Sequence, residues 1–96
     1  MDLNALVESL KEAEPPPGLS HGIEALWHEA KGDWGKAHRI VQGHSDPASA
    51  WVHAYLHRAE GDQSNAAYWY RRAGKPVCSA PLPEEWQQIV SEILGR

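Results

Sequence analysis

The sequence lacks phenylalanine and threonine, has a single cysteine and contains no long run of apolar residues. Without a second cysteine no internal disulfide can form, and the neighbours of Cys78 offer no positive charge that would stabilise a thiolate. This composition is compatible with a reducing compartment, and we expect a cytoplasmic protein. Asp2 and Glu8 among the first leucines are unlike a signal peptide, and no stretch approaches the length of a membrane span. We therefore expect no membrane association.

The charge of the chain is acidic overall, with a net value of −4, and it is unevenly distributed. Residues 1–30 carry a net charge of −5, residues 31–75 carry +3 and residues 76–96 carry −2. A nucleic-acid-binding protein normally has a basic balance, with lysine and arginine concentrated on one face. We therefore expect no nucleic-acid partner.

The length of 96 residues fits one domain and excludes a large multidomain enzyme. Alanine and leucine are abundant and β-branched residues are few, which favours helices. Apolar residues at helical spacing predict a single all-α domain over 1–96. Its predicted parts are an N-terminal helix (2–14), a helical hairpin (19–44), a second hairpin (47–74), an extended connector (75–82) and a C-terminal helix (83–95).

Two local features refine this prediction. The helix that starts at Asp46 and Pro47 has apolar or small residues on two faces, which predicts that it is the central helix. Glu84 and Glu85 open the last helix, where their charges would complement the helix dipole. The turns between the helices are short, which favours antiparallel neighbours.

An internal repeat becomes visible when the chain is shifted by 29 residues, which lays 21–43 over 50–72. Each copy consists of a helix, a Gly-Asp turn and a second helix with an alanine near its start. The identical pairs are Ala25 and Ala54, His28 and His57, Ala30 and Ala59, Gly32 and Gly61, Asp33 and Asp62, and Ala37 and Ala66. The repeat predicts two similar helical hairpins.

The segment 54–76 (AYLHRAEGDQSNAAYWYRRAGKP) resembles a tetratricopeptide repeat (TPR) in the order of its small, turn and aromatic residues. The residues that carry the resemblance are Ala54, Gly61, Asp62, Ala66, Tyr70, Ala73 and Pro76, and the earlier copy retains Ala25, Gly32, Asp33, Ala37 and Pro47. The resemblance implies a short right-handed stack of antiparallel hairpins, with the N-terminal helix and a C-terminal capping helix covering its ends. It also implies binding of a protein segment without catalysis.

No catalytic constellation accompanies this pattern. The sequence has no glycine-rich phosphate loop, no serine elbow and no HExxH string. We therefore predict a non-catalytic interaction or assembly module that needs no cofactor and binds a partner protein or a second copy of itself. Tyrosine and arginine are enriched at the centres of protein interfaces, and the predicted contact residues are Tyr55, Arg58, Tyr68 and Arg71.

A metal- or small-ligand-binding function is the alternative. His53 and His57 stand four residues apart on one helical face, a spacing at which two imidazoles can bind one metal ion. The preceding repeat offers Glu24 and His28 at the equivalent positions. These four residues form the alternative ligand-binding set, while ordinary packing beside Ala50 and Ala54 would explain the same histidines without a ligand.

Overall fold

The computed structural model describes residues 1–95 of the chain. These residues contain six α-helices and no strand. Arg96, the last residue of the predicted 1–96 domain, lies outside the described residues. The helices are α1 (Leu3–Ser9), α2 (His21–Ala30), α3 (Trp34–Gln42), α4 (Pro47–Ala59), α5 (Gln63–Ala73) and α6 (Leu82–Leu94). The predicted all-α class is confirmed. The radius of gyration is 12.2 Å, close to the value of about 12.5 Å expected for a compact chain of this length.

A helix that crosses a membrane is long and apolar. Among residues 1–95 none of the six helices has the required length and apolar character.

The two Gly-Asp corners have the same local geometry. Gly32 and Gly61 adopt left-handed φ values of 91° and 89°, which glycine accepts without the steric penalty of a Cβ atom. Asp33 and Asp62 then cap the next helix, because each carboxylate accepts the backbone N–H three residues further on, at 3.0 and 3.2 Å. In both corners the glycine N–H donates to the carbonyl three residues back, and the aspartate N–H donates to the carbonyl five residues back.

Helix α4 is the central helix, as the sequence predicts. All of its residues from Ser49 to His57 are buried, and α2, α3, α5 and α6 surround it. Glycine allows α2 to approach closely, since a Cβ atom on Gly22 would lie 3.3 Å from Cγ2 of Val52. Four of the six alanines shared by the two copies are completely buried where helices meet, and they are Ala25, Ala37, Ala54 and Ala66. The other pair is not, since Ala30 is exposed and Ala59 is half-buried.

Helix α6 is attached to the rest of the protein through a buried carboxylate. Glu85 is 1% exposed and accepts hydrogen bonds from Nη1 of Arg58 at 2.8 Å and from the hydroxyl of Tyr70 at 2.5 Å. Nη2 of Arg58 also donates to the carbonyl of Ala80 in the connector. The sequence predicts Glu85 only as an acid at the helix start, whereas the structure shows that it joins α6 to α4 and α5.

The N-terminal helix is shorter than the predicted range 2–14. It ends at Ser9, whose hydroxyl donates to the carbonyl of Leu6 at 2.5 Å and accepts the indole N–H of Trp27 at 3.1 Å. Beyond this point Nζ of Lys31 binds the carbonyls of Leu10 and Glu12, at 2.7 and 3.0 Å. These carbonyls accept bonds from another part of the chain, so the segment does not need to continue as a helix.

Candidate functional site

An open groove lies between α1, α2, α4 and α6. Its volume is about 400 Å³ and its lining is mostly apolar. Val7 on α1 is 44% exposed beside it, although Val7 belongs to the apolar stripe of that helix. The lining residues are Val7, Leu10, Glu29, Ala30, Tyr55, Leu82, Pro83, Trp86 and Gln87.

One carboxylate lies in this apolar groove. Burial raises the pKa of Glu29, because the charged form loses hydration there. The pKa of the Tyr55 hydroxyl is also raised, first by burial and then by the charge of Glu29. None of the ion pairs in the described residues involves Glu29. The groove therefore offers an apolar surface with a single unneutralised acid.

The predicted contact residues occupy different environments. Tyr55 is buried to 3% exposure and lines the groove, whereas Tyr68 is 44% exposed on α5 and lies next to the guanidinium of Arg72. Arg71 is exposed. Arg58 differs from the prediction, since its guanidinium is bound to Glu85 and to the connector inside the protein. The sequence shows Arg58 on a helix but not the buried acid that faces it.

A second candidate site is a cluster of three histidines, one on α3 and two on α4. Ring nitrogens of His38, His53 and His57 lie within 4.8 Å of one another, and Nε2 of His38 is 3.2 Å from Nε2 of His53. The cluster exists because α3 and α4 run in opposite directions along each other. This direction follows from two contacts, Trp34 with His57 and His38 with His53.

Aromatic rings and one carboxylate enclose the histidine cluster. Trp69 of α5 stacks on His53 with 3.8 Å between ring centroids, and Trp34 stacks on His38 at 4.9 Å. The indole N–H of Trp34 donates to the carbonyl of Leu56 at 2.7 Å, which fixes that ring. Nδ1 of His57 is 2.7 Å from a carboxylate oxygen of Glu60.

Burial controls the protonation of the cluster. Loss of hydration, followed by the neighbouring His38 and His57, lowers the pKa of His53 from 6.5 to about 4. Burial and then His57 also lower the pKa of His38, against an opposing effect of Glu60. Nδ1 of His53 is buried and has no hydrogen-bond partner in residues 1–95. At neutral pH the rings of His38 and His53 are therefore neutral imidazoles.

The ligand set predicted from the sequence is only partly brought together. His53 and His57 are in the cluster, but Glu24 and His28 are not among the groups whose ligand atoms gather there. These two lie next to each other on α2, with 3.9 Å between Nε2 of His28 and a carboxylate oxygen of Glu24. His38 is the third member of the cluster, and it is not in the set predicted from the sequence. The shift of 29 residues pairs His38 with Ala67, so the repeat does not single it out.

Comparisons with known protein families, with curated proteins and with solved structures give no match. The fold itself defines the class, a compact all-α protein with six helices in residues 1–95. Arguments about its function depend on the groove and on the histidine cluster.

Proposed function

We propose that this chain is a non-catalytic binding module of the TPR-like type, which holds a segment of a partner protein in the groove between α1, α2, α4 and α6. In this proposal α2–α3 and α4–α5 are the two hairpin repeats of a right-handed stack, and α1 and α6 cover its ends. The support for repeated hairpins is the identical hydrogen bonding of the two Gly-Asp corners, 29 residues apart. The proposed setting is the cytoplasm, where Cys78 stays reduced.

The observation that carries this proposal is the apolar groove with Glu29 in it. Exposed apolar surface of this kind commonly marks a place where another molecule binds. The half-buried carboxylate of Glu29 has lost part of its hydration without gaining a cation from within residues 1–95, which costs free energy. A cation from the partner would reduce that cost. The partner segment in this proposal therefore presents an apolar side chain followed closely by lysine or arginine.

A random peptide library selected on the immobilised protein tests this proposal. We expect enrichment of peptides that combine an apolar residue with lysine or arginine. Calorimetry on an enriched peptide should show about tenfold weaker binding to Glu29→Gln, which corresponds to about 1.4 kcal/mol. A peptide in which the lysine is replaced by methionine should bind the native protein and Glu29→Gln equally.

Two further variants separate the groove from the exposed aromatic surface on α5. Val7→Asn should weaken binding, because it places an amide in the apolar groove, whereas Tyr68→Ser should bind like the native protein. The proposal fails if no peptide is enriched, or if Tyr68→Ser loses binding while Val7→Asn and Glu29→Gln keep it. Enrichment of segments of the chain itself would instead indicate self-association.

A further inference from the structure

The three clustered histidines have a geometry that the peptide groove does not explain. We propose that His38, His53 and His57 bind one divalent metal ion such as zinc, and that Glu60 orients His57 in this site. Imidazole nitrogens are good ligands for zinc, copper, nickel and iron, so this class of ion follows from the donor set. The site lies between α3 and α4 and does not depend on the function proposed for the groove.

The distance between the first two rings already fits a metal site. Tetrahedral zinc with Zn–N bonds of 2.0–2.1 Å requires ligand nitrogens that are about 3.3 Å apart. Nε2 of His38 and Nε2 of His53 are 3.2 Å apart. His57 lies one helical turn after His53, and its nitrogen is within 4.8 Å of both others. For three ligand bonds, the two separations that involve His57 have to close from at most 4.8 Å to about 3.3 Å.

The charges around the cluster also suit a cation. Among the described residues, two carboxylates lie close to His57: an oxygen of Glu60 is 2.7 Å from Nδ1, and an oxygen of Asp62 is within 4.8 Å of a ring nitrogen. Both carboxylates favour a cation in the cluster.

Packing alone accounts poorly for His53. In an ordinary core, its buried and unpartnered Nδ1 costs about 1–3 kcal/mol. Leucine has a similar volume and would fill the space beside Trp69 without this cost. The reason for an imidazole at this position therefore lies in its other nitrogen, Nε2, which faces Nε2 of His38 at a distance that suits a hydrogen bond without a metal and two ligand bonds with one.

Glu60 supplies the contact that metal-binding histidines usually have behind them. The hydrogen bond between Nδ1 of His57 and Glu60 leaves Nε2 as the free nitrogen and holds the ring in place. Glu60 and Asp62 also form a second group with His57, within the same 4.8 Å, but Asp62 is already the cap of α5. We therefore place Glu60 behind His57 and not among the ligands. Three imidazoles leave a fourth position for water or an external ligand.

Calorimetry with Zn²⁺ tests this site on untagged protein that has been treated with a chelator and dialysed. We expect one ion per chain, and visible absorption of tetrahedral Co²⁺ when cobalt replaces zinc. His38→Gln should remove binding, and Glu60→Gln should weaken it by about 10- to 100-fold. His38 is half-buried, so this variant is the least disruptive one, and circular dichroism checks that it is folded.

Two other histidines serve as matched controls. His44 stacks on His21 with 3.6 Å between ring centroids, outside the cluster, and His28 belongs to the set predicted from the sequence. His44→Gln and His28→Gln should bind zinc like the native protein. The proposal is overturned if the native protein takes up no zinc, if folded His38→Gln keeps native affinity, or if binding is lost in either control.

Discussion

Replacing His53 by leucine should make the stability of this protein much less sensitive to mild acid. The folded protein keeps His53 neutral because the pKa of its imidazole falls from 6.5 to about 4 on folding. The unfolded chain binds a proton at this residue below pH 6.5, whereas the folded chain binds it only near pH 4. Acid therefore favours the unfolded chain, and the effect is absent above the unfolded pKa and complete below the folded pKa.

The size of this effect follows from the two pKa values. The free energy of unfolding falls by about 1.4 kcal/mol for each pH unit between them. From about pH 7.5 to about pH 5, His53 should contribute a loss of about 2 kcal/mol. Most carboxylates titrate below this window, so they add little. His28 and His38 act in the same direction, because burial lowers the pKa of each as well.

Urea unfolding at several pH values, with a chelator present to exclude metal ions, measures this effect. The quantity to compare is the difference between the native protein and His53→Leu as a function of pH. This difference in the free energy of unfolding should change by about 2 kcal/mol between about pH 7.5 and about pH 5, so that the variant becomes more stable relative to the native protein in acid. His44→Leu is the matched control, since His44 lies outside the cluster, and its curve should run parallel to that of the native protein. Parallel curves for His53→Leu would refute the reasoning.

Two other substitutions test the fold itself, both by urea unfolding at neutral pH. Arg58→Met leaves the buried carboxylate of Glu85 without its cation and should lower the free energy of unfolding by about 3–5 kcal/mol. Adding Glu85→Gln to this variant should recover part of the loss. If the losses of the two single variants simply add, Arg58 and Glu85 are not the partners that the structure shows. Gly61→Ala should cost about 1–2 kcal/mol because φ is 89° there and no atom within 4 Å would clash, so the cost is conformational. Gly43→Ala, at φ −86°, should be nearly neutral, and equal effects at the two glycines would count against the left-handed corner.

The features that could be predicted from the sequence are those that a few neighbouring residues determine. Glycine and aspartate in succession are enough to end one helix and cap the next, and both corners form as expected. The central position of α4 also follows from local pattern, since two apolar faces on one helix require neighbours on both sides.

Features that depend on which helices meet could not be predicted. The histidine site needs His38 from α3 beside α4, and the repeat pointed to α2 instead. Glu85 is buried because Arg58 and Tyr70, 27 and 15 residues earlier in the chain, happen to face it. A one-dimensional pattern shows that such residues exist, but it does not show that they are partners.

The bonds around Glu85 have a consequence for how this domain could be shortened or extended. The end after α5 is closed, because removal of α6 would strand the guanidinium of Arg58 and the hydroxyl of Tyr70 and would expose the apolar side of α4. Helices α4, α5 and α6 therefore have to be kept together when the chain is shortened, and a segment inserted after α5 would first have to displace the last helix.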